Sequence, residues 1–423
     1  MTLIDLTHPP DRPADDAPGA LVPARDAAGR PLTQTQTPVL RLNIGRIRQR
    51  WHEIAAAFAG FDIYYAVKAN PHPQVLAALA VLGARFDAAS IGEIEAVLAT
   101  GTPPDRISFG NTIKKHRDIA IAHALGVRLF AVDAPDDLAK IAGAAPGAMV
   151  FCRLDVDGSG AEWPLSRKFG CDPDRAVALM LQARASGLDP VGISFHVGSQ
   201  QVRPHAFDAA LERVAGVAAR LLNAGLRLRL VNIGGGLPAR YTTDIPSLAH
   251  YSAAVDQAID RHLLPVLGRR PRLAAELGRG LVAEAGQIET EVVLVADRGT
   301  GADARRWVYI DIGVFHGLAE TLGEAIRYPI SRVSADDGAP DEPTGPVVLA
   351  GPTCDSADIL YERRPVDLPL GLRSGDRLVI GATGAYTHSY SSVGFNGLPP
   401  LRVECHDDVP AAMCPPARRS VAG

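Results

Sequence analysis

Between residues 61 and 276 short apolar runs alternate with segments whose apolar residues recur at helical spacing. Eight runs read as buried strands: Ile63–Val67, Arg85–Ala88, Arg106–Phe109, Arg128–Val132, Met149–Leu154, Val191–His196, Leu228–Ile233 and Arg272–Glu276. Helices are expected between them over His72–Leu82, Ile91–Thr100, Lys114–Leu125, Pro135–Ala144, Asp174–Ala185, Ala206–Ala224 and Leu248–Leu267. Ser90 with Glu93 reads as a capping box at the start of the second of these. Eight strand-then-helix units in succession specify an α/β fold built on a (β/α)8 barrel rather than an open sheet. The absence of Gly-x-Gly-x-x-Gly after the first strand counts against a dinucleotide-binding domain.

After Glu276 the pattern changes. Ile288–Ala296, Trp307–Asp311, Gly345–Ala350, Arg377–Ile380 and Leu401–Cys405 are strand-like and punctuated by Gly and Pro, so a second, mainly antiparallel β domain is expected to follow the barrel. Pro38–Leu42 reads as one more strand of that domain. The resulting division is an arm at 1–34, a joining strand at 35–44, the barrel at 45–280, the β domain at 281–410 and a tail at 411–423. The arm is rich in Pro, Asp, Ala and Gly and reads as poorly ordered, and residues 334–345 read as an acidic loop.

A length of 423 residues accommodates two domains, and 47% hydrophobic with 21% charged residues is a globular composition without a membrane-length apolar stretch. The net charge of -4 leaves no electrostatic footprint for nucleic acid or anionic lipid, so the expected partners are small molecules or copies of the chain itself. Cys152, Cys171, Cys354, Cys405 and Cys414 are odd in number, far apart and free of any Cys-x-x-Cys, which suggests neither a disulfide framework nor a zinc site. With no basic-then-apolar leader at the N-terminus, a reducing cytoplasm is the expected compartment.

The candidate chemistry lies at or just past the C-terminal ends of the barrel strands: Lys68, Asp87, Gly110-Asn111, Asp133, Arg153, His196 with Ser199, Gly234-Gly235-Gly236, and Glu276 with Arg279. Each alone has an ordinary reading: a lysine reaching solvent, a capping aspartate, a core histidine, a tight glycine turn. A barrel brings all of them to one mouth. There the glycine N–H groups, Ser199 and Arg279 make an anion site, and beside it stand an amine, an imidazole and a carboxylate. These are the parts needed to hold pyridoxal 5'-phosphate, whose aldehyde would condense with Lys68.

The segments Tyr65-Ala66-Val67-Lys68-Ala69-Asn70, Phe86-Asp87-Ala88-Ala89-Ser90, Ser194-Phe195-His196-Val197-Gly198-Ser199-Gln200, Asn232-Ile233-Gly234-Gly235-Gly236, Gly351-Pro352-Thr353-Cys354-Asp355-Ser356-Ala357-Asp358 and Gly384-Ala385-Tyr386-Thr387 occur in that order. In them the chain, from Pro38 to Arg402, resembles the fold-type III pyridoxal-phosphate decarboxylases of ornithine, lysine, arginine and diaminopimelate. The resemblance implies that Lys68 carries the cofactor, His196 stacks on its ring and Glu276 pairs with its pyridine nitrogen. It implies that Ser199, Gly234, Gly235, Gly236, Gly278, Arg279 and Tyr386 hold the phosphate, that Asp87 and Arg153 line the same pocket, and that no metal is needed. It also implies a homodimer in which Cys354 and Asp355 reach the partner's site, the cysteine to assist protonation and the aspartate to meet the substrate's distal amine, with Tyr328 and Tyr386 on the substrate side.

Related racemases of this architecture place an arginine at the ring nitrogen, so Glu276 argues for decarboxylation. Diaminopimelate decarboxylases usually carry Glu where this chain has Asp355, which favours ornithine to putrescine, or lysine to cadaverine, in polyamine or specialised amine synthesis. Asp311-Ile312-Gly313-Val314-Phe315-His316-Gly317-Leu318-Ala319-Glu320-Thr321 and Ala325-Ile326-Arg327-Tyr328-Pro329 likewise resemble bacterial ornithine decarboxylases. The chain departs from the family at Leu277, usually proline, and at Pro329, an aspartate in the eukaryotic ornithine decarboxylases. The alternatives are a diaminopimelate decarboxylase making lysine and a non-catalytic cofactor-binding or regulatory homologue.

Overall fold

The computed structural model describes residues 36–163, 168–333 and 342–407. The expected arm and tail, Cys414 and most of the acidic loop lie outside the described residues. In chain order the strands are Val39–Asn43 (β1), Phe61–Ala66 (β2), Arg85–Ala88 (β3), Ile107–Phe109 (β4), Leu129–Val132 (β5), Met149–Arg153 (β6), Ala161–Trp163 (β7), Asp189–Ser194 (β8), Ser199–Gln201 (β9), Leu230–Asn232 (β10) and Arg272–Leu277 (β11). They continue as Gly286–Arg298 (β12), Arg305–Ile310 (β13), Ile330–Arg332 (β14), Thr344–Ala350 (β15), Ile359–Pro369 (β16), Arg377–Gly381 (β17) and Arg402–His406 (β18).

Eight of these, β2, β3, β4, β5, β6, β8, β10 and β11, pair in parallel and close into a barrel. Closure is made by β11 against β2, with Leu273 opposite Phe61 and Leu277 opposite Tyr65. The near-continuous apolar runs of the sequence are what such a sheet requires, since helices cover its outer face and side chains fill its interior. Phe86, Phe109, Phe130 and Val132 are buried in one core with helix residues Ile94, Ile119 and Leu138. Tyr64, Leu129, Ala131, Phe151, Val191, Leu230 and Ala274 form a smaller cluster from alternate strand positions.

The second sheet runs β14-β17-β12-β13-β15-β16, with β1 paired to β12 and β18 paired to β1. Most of its pairs are antiparallel, with β1 to β18 and β13 to β15 parallel. The strand expected at Pro38–Leu42 is β1, so the start of the described chain is laid into the sheet formed by its end.

Local corrections to the sequence reading have identifiable causes. The first barrel strand stops at Ala66, and Val67–Ala69 form a 3-10 turn, so Lys68 rides on a tight turn rather than on the strand itself. Ser90 does cap its helix, accepting from Glu93 N–H at 3.3 Å, but the Glu93 carboxylate returns to Ala89 N–H at 2.6 Å rather than to Ser90. The expected helix Leu248–Leu267 is broken by a wider turn at Ile259–Leu263 just before Pro265. The helix Ile44–Ala57, capped by Asn43, precedes the barrel. Among the described residues no helix is long and apolar enough to cross a membrane.

Candidate active site

At the C-terminal mouth of the barrel a cavity of about 150 Å³ is lined by Ala66, Lys68, His196, Ser199, Gly235, Gly236, Leu237, Glu276, Gly278, Arg279, Glu320, Tyr386 and Tyr390. Nine residues expected from sequence, Lys68, His196, Ser199, Gly235, Gly236, Glu276, Gly278, Arg279 and Tyr386, thus meet around one space. Asp87, Arg153 and Gly234 do not line it, although Asp87 and Arg153 act electrostatically on Glu276. Tyr328 is buried, its ring against Tyr241 at 5.4 Å. Cys354 and Asp355 are exposed on a loop and do not line their own chain's cavity.

The Lys68 turn is fixed from both sides. Asn70, fully buried, donates from Nδ2 to Gly384 C=O at 2.7 Å and accepts from His72 N–H at 3.1 Å. Tyr386 N–H donates to Ala69 C=O at 2.8 Å, which holds Tyr386 in a left-handed conformation, φ 56°. The lysine turn and the tyrosine loop are therefore one strapped unit. Lys68 has no hydrogen-bond or ion-pair partner among the described residues, while its charge acts on Asp87, Glu93 and His196. The chain contains only five lysines. Lys114 is buried against Asp137 at 2.5 Å, Lys140 pairs with Asp136, and neither they nor Lys115 and Lys168 line the cavity.

Burial, with the Arg153 and Lys68 charges adding to it, holds His196 well below the ordinary histidine range. The ring is neutral, and because Nδ1 accepts from Gly198 N–H at 3.0 Å, the proton sits on Nε2. The Glu276 carboxylate is oriented by Asn232, whose Nδ2 donates to it at 2.6 Å while its Oδ1 accepts from Gly234 N–H at 2.9 Å. Asp87 accepts from Ser108 Oγ at 2.8 Å, and burial together with Glu276 pushes it well above the usual carboxylate range, against the pull of Lys68.

Against Glu276 itself, a Cβ on Gly235 would lie 2.5 Å from Glu276 C=O, and one on Gly236, φ 109°, 2.6 Å from Gly198 C=O, so only glycine lets the backbone pass here. Beside it Arg279 is buried with all five donors engaged. Nη1 and Nη2 grip the Glu320 carboxylate at 2.6 and 2.5 Å, Nη1 also reaches Tyr241 Oη at 2.7 Å, and Nε and Nη2 both point to Ser199 Oγ at 3.2 and 3.1 Å. Ser199 accepts twice from Arg279, which leaves its own O–H to donate elsewhere. Tyr386 lies over the same guanidinium at 4.9 Å, its phenol pushed up to about 12 by burial. Glu320 had no place in the sequence argument; its partner is 41 residues away in the chain, and only its position inside a family-like segment could have marked it.

The loop that carries Cys354 and Asp355 is pinned by Asp358, 2% exposed, which accepts from Val314 N–H at 2.7 Å and from Thr353 N–H and Oγ1 at 3.0 and 2.7 Å. Cys354 N–H donates to Asn396 Oδ1 at 2.9 Å. Next to Asn396 stand the exposed Phe395 and Val393, an apolar surface beside the cysteine.

A parallel barrel joined to a mainly antiparallel sheet, with a lysine, a neutral histidine, an oriented carboxylate and a glycine-lined anion wall at its mouth, defines a pyridoxal-phosphate enzyme of the barrel class. Residues 44–283 match the family described as pyridoxal-dependent decarboxylase, pyridoxal binding domain, and the chain belongs to that family. It is 31% identical over 366 residues to the lysine/ornithine decarboxylase of Selenomonas ruminantium, covering 85% of this chain and 87% of that protein. It is similar to the structure of the Vibrio vulnificus lysine/ornithine decarboxylase complexed with cadaverine, at 30% identity and a TM-score of 0.77, covering 89% of this chain and 96% of the other. It is also similar to the arginine decarboxylase of Paramecium bursaria Chlorella virus bound to agmatine, at 27% identity and a TM-score of 0.79, covering 88% and 98%. The protein is a pyridoxal-phosphate-dependent amino-acid decarboxylase.

Proposed function

We propose that the chain decarboxylates ornithine, or lysine, to the diamine, within a cytoplasmic homodimer serving polyamine or specialised amine synthesis. The observation that carries this reading is the cavity itself: Lys68 is the chain's cavity lysine, and it faces Glu276 and His196 with an anion wall alongside. The donor set fits pyridoxal phosphate, which when bound supplies the electron sink for the pair left at Cα as carbon dioxide departs.

The chain's own residues do the rest. Lys68 anchors the cofactor. Glu276, fixed by Asn232, holds a proton at the ring nitrogen by charge pairing, and Asp87 and Arg153 balance the charge behind it. His196, neutral, would sit against the cofactor ring without adding a positive charge that would weaken the sink. Ser199 O–H and the N–H groups of Gly235, Gly236 and Gly278 would hold the phosphate, with Tyr386 adding a phenol donor, while the Gly234 N–H is spent on Asn232. Arg279, its charge matched by the Glu320 carboxylate that holds the far end of its fork, aims Ser199.

Cys354 and Asp355 belong, on this reading, to the site of the partner subunit: Cys354 returns the proton to Cα and Asp355 pairs with the distal ammonium, with Tyr328 backing the substrate side. Their exposure beside Phe395 and Val393 supports an interface there. Asp355 is one methylene shorter than the glutamate of the diaminopimelate enzymes, which suits a bare ammonium. Asp355→Ala is expected to lower kcat/KM for ornithine by about 2–5 kcal/mol of transition-state binding while leaving cofactor affinity near wild type. Steady-state kinetics with ornithine and norvaline test this; an unchanged preference for ornithine removes Asp355 from substrate recognition.

A further inference from the structure

We propose that Cys152 and Cys171 form a modification site, a buried dithiol that hydrogen peroxide closes reversibly to an intrachain disulfide. The two sulfurs lie 3.5 Å apart, and both residues are buried. Their proximity is imposed by the backbone. Cys171 N–H donates to Arg153 C=O at 3.0 Å and Asp155 N–H donates to Cys171 C=O at 3.0 Å, so Cys171 lies against the end of β6 beside Leu154. A bond of about 2.0 Å between the sulfurs needs them to approach by roughly 1.5 Å.

The chemistry balances with peroxide as the two-electron oxidant. Cys171, 6% exposed against 0% for Cys152, is the sulfur a small oxidant meets first. Its thiolate attacks one peroxide oxygen, the O–O bond breaks, and the other oxygen leaves as hydroxide and becomes water on taking up the thiol's proton. The Cys152 sulfur then attacks Sγ of Cys171, the S–O bond breaks, and that oxygen leaves as a second water with the Cys152 proton. Two thiols and one peroxide become one disulfide and two waters.

The closed ring spans the connection from β6 to the helix Pro173–Ala185. That connection carries β7, which pairs with β9, and β9 begins at Ser199 on the anion wall. The disulfide therefore ties both ends of the loop that buttresses the Ser199 strand. By restricting the unfolded chain it raises the thermal midpoint by a few degrees.

The test uses the purified holoenzyme treated with hydrogen peroxide, then denatured, alkylated with N-ethylmaleimide and digested with trypsin. Cleavage after Lys140, Arg153, Lys168 and Arg175 isolates the cysteines on residues 141–153 and 169–175. The expected product is one linked pair of these peptides in near-stoichiometric yield, with dithiothreitol restoring two alkylatable thiols and the thermal midpoint of untreated protein. Cys171→Ser is expected to abolish the link. Exposed Cys354 reports that oxidant reached the protein. Alkylated Cys152 and Cys171 in a sample whose Cys354 is already oxidised would overturn the proposal, as would links from either residue to Cys354 or Cys405.

Discussion

Lys68→Ala is expected to lower kcat by roughly 10³-fold or more, because no other group in the cavity can make the covalent link to the cofactor. The side chain ends in open cavity space without a hydrogen bond among the described residues, so its removal creates no buried unpaired group and the thermal midpoint of the protein should hold. The four remaining lysines offer no substitute: Lys114 is held by Asp137, Ala131 C=O and Asn111 C=O, and Lys115, Lys140 and Lys168 do not line the cavity. Borohydride treatment of the wild-type holoenzyme should bleach its visible band and leave the cofactor mass on the peptide containing Lys68. Label on Lys114, Lys115, Lys140 or Lys168, or a full borohydride-sensitive band in dialysed Lys68→Ala protein, would show that the wrong lysine has been assigned.

Mixing Lys68→Ala with Cys354→Ala subunits is expected to restore about a quarter of wild-type activity, although each variant alone is nearly inactive. Cys354 is exposed and absent from the lining of its own chain's cavity, so the proton it is proposed to deliver must enter a partner's site. In a mixed dimer one site collects both defects and the other keeps native Lys68 and native Cys354. With subunits exchanged at random about half the dimers are mixed, each with one of two sites intact. Activity measured after exchange, with tagged chains to verify mixing, checks this. No recovery among verified mixed dimers removes the shared site and the role given to Cys354 and Asp355.

The barrel was legible because parallel strands covered on both faces must be short apolar runs, and eight such runs alternate with helical periodicity. Seven of the nine cavity residues followed from their position at or just past strand ends, and Gly278 and Tyr386 from the resemblance alone. What stayed hidden was polar or distant. The antiparallel pair of Ala161–Trp163 with Ser199–Gln201 has no apolar run to announce it, and β16 contains Glu362-Arg363-Arg364-Pro365, which reads as a loop until β15 is seen beside it. Glu320 and Arg279 share no sequence pattern, since a buried ion pair is set by tertiary packing. Cys152 and Cys171 read as unrelated residues because the bridge that brings Cys171 beside the end of β6, between Leu154 and Cys171, lies outside any regular strand.

The measurement that bears most directly on the proposed activity is carbon dioxide release with product identification from ornithine, lysine, arginine and meso-diaminopimelate, supplied separately to the holoenzyme at neutral pH. The account predicts putrescine from ornithine or cadaverine from lysine, with kcat/KM for diaminopimelate lower by at least about tenfold, since each 1.4 kcal/mol of lost recognition is a factor of ten. Lysine formed from diaminopimelate as the preferred reaction would contradict the reading of Asp355. Carbon dioxide from none of the four, with cofactor bound at Lys68, would contradict basic amino-acid decarboxylation as the activity of this site.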